Sequence, residues 1–227
     1  MSGPDHYFYT TLKSHIPFHD PMRRLYIFDL NGTLMDSTNT EKQCFIRTFD
    51  SLGMGCRTSD LDVYVNQNLE STFSGIDDGS HTYEEFIHRF MSEASRSVDD
   101  GTVPFPDTRE TLEGIASCGI PMCIATRMGG RRAGGILERH GLDGFFDLIV
   151  GAEDVVRHKP DPECVFKCLD FHDVSAEDAV FIGDSPKDMY AADGANVEGI
   201  LIDRTHRYQT FEDHRIVRDL REILDGE

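Results

Sequence analysis

An apolar run, Leu25 to Leu30, carries Asp29 onto the turn Asn31-Gly32-Thr33-Leu34, with Asp36 and Ser37 just beyond. A strand that ends on a carboxylate beside a glycine turn is one way to mount a nucleophilic aspartate. Aspartate at a strand end also caps turns and helices, so Asp29 alone fits both readings. Its company favours chemistry: Thr126 follows a second apolar run, Lys159 lies in His158-Lys159-Pro160-Asp161-Pro162, and Asp184 and Asp188 lie in Gly183-Asp184-Ser185-Pro186-Lys187-Asp188. Taken singly, Thr126 reads as a turn residue and Lys159 as a surface lysine. Three carboxylates gathered at strand ends repel one another, and a hard divalent cation with oxygen ligands is the usual way to keep them ionised. Gly32 permits a tight backbone, and the Thr33 hydroxyl is expected to bond the local backbone and hold the turn. Asp36 and Ser37 read equally well as a helix start.

The elements that deliver these residues are five short apolar runs bounded by turn residues: Leu25 to Leu30, Pro121 to Ala125, Leu148 to Gly151, Ala179 to Gly183 and Gly199 to Asp203. Runs this short and continuous fit strands buried on both faces, and their alternation with helical segments predicts a doubly wound, parallel α/β sheet. Ligands of such sheets sit outside the carboxyl ends of the strands, which singles out Asp29, Thr126 and Asp184. Between the first two runs, residues 35–105 show no buried strand but carry helical spacing. Phe45, Phe49 and Leu52 share one face, as do Phe86, Phe90 and Ala94. A loop that long inside a compact unit is improbable, so a small inserted helical domain is expected. Residues 75–80 read as a turn within it, and Pro104 and Pro106 as the return hinge. The resulting division is an extension over 1–22, a core over 23–34 and 106–227, and a helical cap over 35–105.

The segment from Arg24 to Ser37 resembles the signature of the haloacid dehalogenase-like superfamily of phosphotransferases and phosphatases, normally Asp-x-Asp-Gly-Thr, with Asn31 in place of the second aspartate. The resemblance extends to about Asp203, and the insertion after the first strand is similar to the helical-cap branch that includes phosphoglycolate phosphatase and β-phosphoglucomutase. It implies a Rossmann-like core and a magnesium-dependent phosphatase acting on a small phosphorylated metabolite through an aspartyl-phosphate on Asp29. By the same resemblance Thr126 bonds a phosphoryl oxygen and Lys159 sets a positive charge beside nucleophile and phosphate. Asp29, Asp184, Asp188 and the backbone carbonyl of Asn31 hold Mg2+, and Gly32 and Thr33 line the phosphate. Arg127, Arg131 and Arg132 stand where the family usually has a shorter polar residue after the threonine. Arg127 could clamp a second anionic group of the substrate or be solvated at a helix start.

Asn31 bears on turnover. In family members that hydrolyse phosphate esters the second aspartate protonates the leaving oxygen and later takes a proton from water, and an amide does neither. Such acid-base help is worth about 10²- to 10⁴-fold. Three readings follow: an ordinary phosphatase disabled by substitution, a natural variant with slow turnover, and a phosphate-binding or regulatory protein without catalysis. A phosphomutase is a further alternative, and carbon-phosphorus hydrolysis would call on Lys42, the one lysine between Met35 and Phe105.

Composition narrows the partners. A formal charge of −19 opposes nucleic acid and anionic membranes, both polyanions. No apolar run approaches a membrane span, and the polar start of the chain lacks a secretion-signal pattern; a cytoplasmic protein, monomeric by default, is expected. The cysteines Cys44, Cys56, Cys118, Cys123, Cys164 and Cys168 show no metal spacing and read as buried free thiols.

Overall fold

A computed structural model describes residues 24–224 except 56, 66, 68 and 97–100; the expected extension over 1–22, and Cys56, lie outside the described residues. In chain order the elements are β1 (Leu25–Phe28), β2 (Met35–Asp36), α1 (Thr38–Leu52), α2 (Leu61–Val65), α3 (Leu69–Ile76), α4 (Tyr83–Arg96), β3 (Val103–Pro104) and α5 (Thr108–Ser117). There follow β4 (Met122–Ala125), α6 (Gly130–Arg139), β5 (Leu148–Val150), α7 (Glu163–His172), β6 (Ala179–Gly183), α8 (Pro186–Gly194), β7 (Glu198–Ile202) and β8 (Arg215–Val217). Six strands form one sheet in the order β5-β4-β1-β6-β7-β8, each neighbouring pair parallel. This is the α/β architecture the apolar runs predict.

The continuous apolar runs arise because both faces of the central strands are covered. Tyr26, Phe28, Met122, Ile124, Val180 and Ile182 point into one core, closed by α5, α6 and the C-terminal turn; Leu25, Ile27, Cys123, Ala125, Ala179 and Phe181 point into the other, closed by α7 and α8. The period of two along each strand thus assigns alternate side chains to opposite layers. From β1 the chain moves to β4 and β5 on one side and returns to β6 on the other, so the crevice of a doubly wound sheet opens at the carboxyl end of β1.

Helices α1 to α4 bury a separate cluster of Phe45, Phe49, Met54, Leu61, Tyr64 and Phe86, with Leu52 and Phe90 packed against it. Phe45 and Phe90 approach to 4.8 Å between centroids. Burying each ring contributes about 2 kcal/mol to holding these helices together. Two short strands were not visible in the pattern: β2 pairs antiparallel with β3, Met35 opposite Pro104 and Asp36 opposite Val103, so a two-stranded ribbon stands where the prolines suggested a hinge. The turn expected at 75–80 begins later, because Gly75 and Ile76 complete α3. The strand read as Gly199 to Asp203 starts and ends one residue earlier, and β8 was missed. Cys44, Cys123, Cys164 and Cys168 are buried; Cys118 is exposed, correcting the expectation that all are buried.

Candidate active site

Asp29 follows β1 directly, and its amide still bonds Ile182 O at 2.9 Å, so the ladder fixes the backbone from which the carboxylate projects. The chain then turns through Gly32, whose φ is +82°. A Cβ there would lie 2.5 Å from Asp184 Oδ2. Glycine is required twice over, by the left-handed backbone and by the close approach of the second carboxylate. Thr33 is fully buried but its hydroxyl has no partner, contrary to expectation. The turn is held by Leu34 N and Met35 N bonding Leu30 O and by Arg204, which donates to Thr33 O at 2.7 Å.

Lys159, the residue most easily mistaken for a surface lysine, is buried. Its ammonium lies 2.6 Å from Asp29 Oδ1 and 2.6 Å from Asp188 Oδ1, and donates to Ala125 O at 2.9 Å. Burial alone would lower the lysine pKa, but the charges of Asp29 and Asp188 overcome it and hold the group firmly cationic. Asp188 is the third residue of α8, and its other oxygen accepts from Ser185 N at 3.0 Å and Ser185 Oγ at 2.6 Å, a capping box that fixes its rotamer. Asp184 sits at the end of β6, facing Gly32.

The three carboxylates offer oxygens within 4.8 Å of one another. Burial raises the Asp29 pKa to about 6 against the opposing pull of Lys159. Burial, and then the charges of Asp29 and Asp188, raise Asp184 to about 8. The Lys159 ammonium and, at 3.8 Å from Asp184, the Arg207 guanidinium leave two buried carboxylates and one half-buried one only partly balanced. A hard divalent cation with oxygen ligands would complete the balance, and the donor set fits magnesium.

Thr126 follows β4 directly, and its hydroxyl accepts from Met128 N at 3.1 Å while its own proton is left to donate. It lines a cavity of about 380 Å³ with Asp29, Asn31, Arg127, Lys159, Asp184 and Asp188. Asn31 and Arg127 also border a second cavity of about 590 Å³, whose far wall is Phe45, Tyr64, Phe90 and Met91 from the helical segment. Asp29, Asn31, Thr126, Arg127, Lys159, Asp184 and Asp188 thus line one cavity, Gly32 lines a neighbouring one of about 350 Å³, and Thr33 and Arg131 line neither. Asp36 and Ser37 serve the start of α1: Asp36 Oδ1 accepts from Thr38 N at 2.9 Å, and Ser37 Oγ donates to Glu41 Oε1 at 2.7 Å. Lys42 pairs with Asp62 and borders neither cavity.

Three contributors were missed. Arg207 donates to Asp184 O at 3.2 Å and lies 3.8 Å from its carboxylate. Arg204 makes a bidentate pair with the buried Asp107 at 2.8 and 3.0 Å and stacks 3.8 Å over Phe105. Glu41 lies inside the space between sheet and helices. Only Glu41 had a sequence signal, four residues after Ser37 on a helix; the arginines act across distances in the chain that no local pattern records.

The family model described as haloacid dehalogenase-like hydrolase matches residues 26–202. A phosphoglycolate phosphatase of Pseudomonas savastanoi pv. phaseolicola is 29% identical over 92% of this chain and 81% of its own length. A pyrophosphatase PpaX of Oceanobacillus iheyensis is 26% identical over 88% of this chain and 95% of its own. Among solved structures, a haloacid dehalogenase-like family hydrolase of Streptococcus pneumoniae superposes with a TM-score of 0.72, at 23% identity, over 90% of this chain and 98% of that one, which speaks to the fold.

Proposed function

The chain belongs to the haloacid dehalogenase-like hydrolase family; from this premise we propose that it is a magnesium-dependent phosphatase forming an aspartyl-phosphate on Asp29 from a small phosphorylated metabolite. The observation that carries the reading is the buried Lys159 ammonium, held 2.6 Å from both Asp29 and Asp188 at the edge of a cavity ringed by three carboxylates. Asp29, Asp184, Asp188 and the Asn31 carbonyl would hold Mg2+, which supplies Lewis-acid neutralisation of the phosphate. Lys159 occupies Asp29 Oδ1 and leaves Oδ2 to attack phosphorus. The lysine charge and the Thr126 hydroxyl then face the equatorial oxygens, where charge builds up. Helices α1 to α4 act as the cap, keeping water from the site and reading the rest of the substrate.

A second reading is supported by Asn31. Its Oδ1 is buried with no hydrogen-bond partner, and its amide cannot pass a proton. On that reading the chain binds phosphate and magnesium without turnover. Phosphate release from a panel of phosphomonoesters, with and without magnesium, for this chain and its Asn31→Asp variant separates the two. Magnesium-dependent release by either protein supports a phosphatase, and any rise in the variant measures what Asn31 withholds. Binding of magnesium and phosphate without release by either protein supports the binding reading.

A further inference from the structure

A carboxyl stands on the walls of the two cavities that adjoin the nucleophile's own at Asn31. Asn31 borders the cavity under the helices and a further cavity of about 350 Å³ beside Arg204 and Arg207. Glu41, from the first turn of α1, borders both of them too. It is the single carboxyl among the described residues lining the larger cavity. Its Oε1 is oriented by the Ser37 hydroxyl at 2.7 Å, and its Oε2 accepts no hydrogen bond from a described residue.

We infer that Glu41 is the general acid and base of this enzyme, reaching the leaving-group oxygen across the cavity from the side of the helices, in place of the aspartate absent at Asn31. The inference rests on the phosphatase reading. In the first half-reaction Asp29 Oδ2 bonds phosphorus, the bond from phosphorus to the leaving oxygen breaks, and that oxygen takes the Glu41 proton and departs as an alcohol. In the second, water attacks the aspartyl-phosphate and gives a proton to the Glu41 carboxylate. The bond from phosphorus to Asp29 breaks, and inorganic phosphate and the Asp29 carboxylate are released. Protons and bonds balance over the cycle.

Two further facts agree. Burial raises the Glu41 pKa against the Ser37 hydrogen bond, with the Asp36 charge adding to the rise, and that is the direction a carboxyl needs to carry a proton near neutrality. Glu41 also belongs to the helical segment, whereas Asp29 belongs to the sheet, so the acid would be in place only while helices and sheet enclose the substrate.

A purely structural Glu41, serving only to tie Ser37 to α1, is separated from a proton donor by the leaving group. p-Nitrophenolate departs without a proton, whereas the alkoxide of β-glycerophosphate needs one. In the full chain with magnesium, Glu41→Gln is expected to lower kcat/KM for β-glycerophosphate by about 10²- to 10⁴-fold and kcat/KM for p-nitrophenyl phosphate, which is set by steps up to departure of the leaving group, by less than about tenfold, while kcat falls on both because the attacking water loses its base. In the Asn31→Asp background the same change is expected to cost less than about tenfold on either substrate, because the aspartate takes over the proton. Equal losses of kcat/KM on both substrates, no loss on either, or a full loss in the Asn31→Asp background would overturn the assignment; circular dichroism and thermal melts check that the variants are folded. Absence of release by this chain and by Asn31→Asp alike would instead remove the phosphatase reading, and this inference with it.

Discussion

Replacing Lys159 by methionine keeps most of the side-chain volume and deletes one charge. That charge is shared: the ammonium lies 2.6 Å from Asp29 and from Asp188, and the lysine side chain is 4% exposed. Removing one partner of a buried ion pair costs about 3–5 kcal/mol, because the other charge remains desolvated. Here two carboxylates are stranded, so the metal-free variant should lose about 4 kcal/mol or more near pH 8. The loss has a pH signature. Asp29 already titrates at about 6 with the ammonium beside it, and without it burial and Asp188 push it higher. The carboxyl then keeps its proton in the native state while the unfolded chain has lost it, so stability falls as pH rises and recovers on acidification. Urea unfolding followed by circular dichroism in EDTA, at about pH 8 and about pH 5, should show the penalty shrinking by at least half at the lower value. A loss below about 1 kcal/mol at the higher pH, or an equal loss at both, would refute the shared-charge account.

The unaltered protein should show a weaker form of the same dependence. Asp29 and Asp184 rise from 3.8 to about 6 and about 8, so their contribution to stability is full below about pH 4 and is lost as pH rises through those values. The metal-free melting temperature should fall over that window and magnesium should flatten the profile; a profile flat without metal counts against the carboxylate cluster. Gly32→Ala forces a Cβ to within 2.5 Å of Asp184 Oδ2 at a φ of +82°, and should cost about 1–2 kcal/mol in stability together with at least about tenfold in magnesium affinity by calorimetry. Unchanged affinity would mean that Asp184 does not depend on the glycine for its place. Arg127→Ala should raise KM about tenfold or more for substrates with a second anionic group and leave p-nitrophenyl phosphate unaffected, and an equal effect on both would assign Arg127 to the scissile phosphate. Arg204→Lys should destabilise almost as much as Arg204→Ala, because Asp107 and Thr33 O are gripped by two guanidinium nitrogens that an ammonium cannot mimic; thermal melts that place the lysine variant close to the parent would contradict this.

The sheet was legible because burial on both faces leaves unbroken apolar runs, as in Leu25 to Leu30 and Ala179 to Gly183. The same physics hid β8, Arg215–Val217, which is an edge strand with a charged first residue. It also hid β2 and β3, two residues each, too short for any period to register. The site was legible where chemistry is local to a strand end, at Asp29, Thr126, Asp184 and Asp188. The burial of Lys159 was not, since nothing in its neighbours says that the loop folds inward under β1. Arg204 reaches back 97 residues to Asp107 and 171 to Thr33, and pairings of that separation leave no periodic trace. The Thr33 hydroxyl was misjudged because an arginine took over the role expected of it.

The ribbon of β2 and β3 gives the protein an unusual economy of connection. The chain leaves for α1 and comes back from α4 at points that face each other, Met35 against Pro104 and Asp36 against Val103. Antiparallel partners stand about 5 Å apart, so a two-residue hairpin turn could join them and leave all six parallel strands in register. Because loop-closure cost grows only with the logarithm of length, a larger or smaller insert could occupy the same slot at little thermodynamic expense. If the helices act as the proposed cap, the ribbon makes them an exchangeable cassette, whose replacement would alter which molecules are admitted while leaving in place the sheet that presents Asp29.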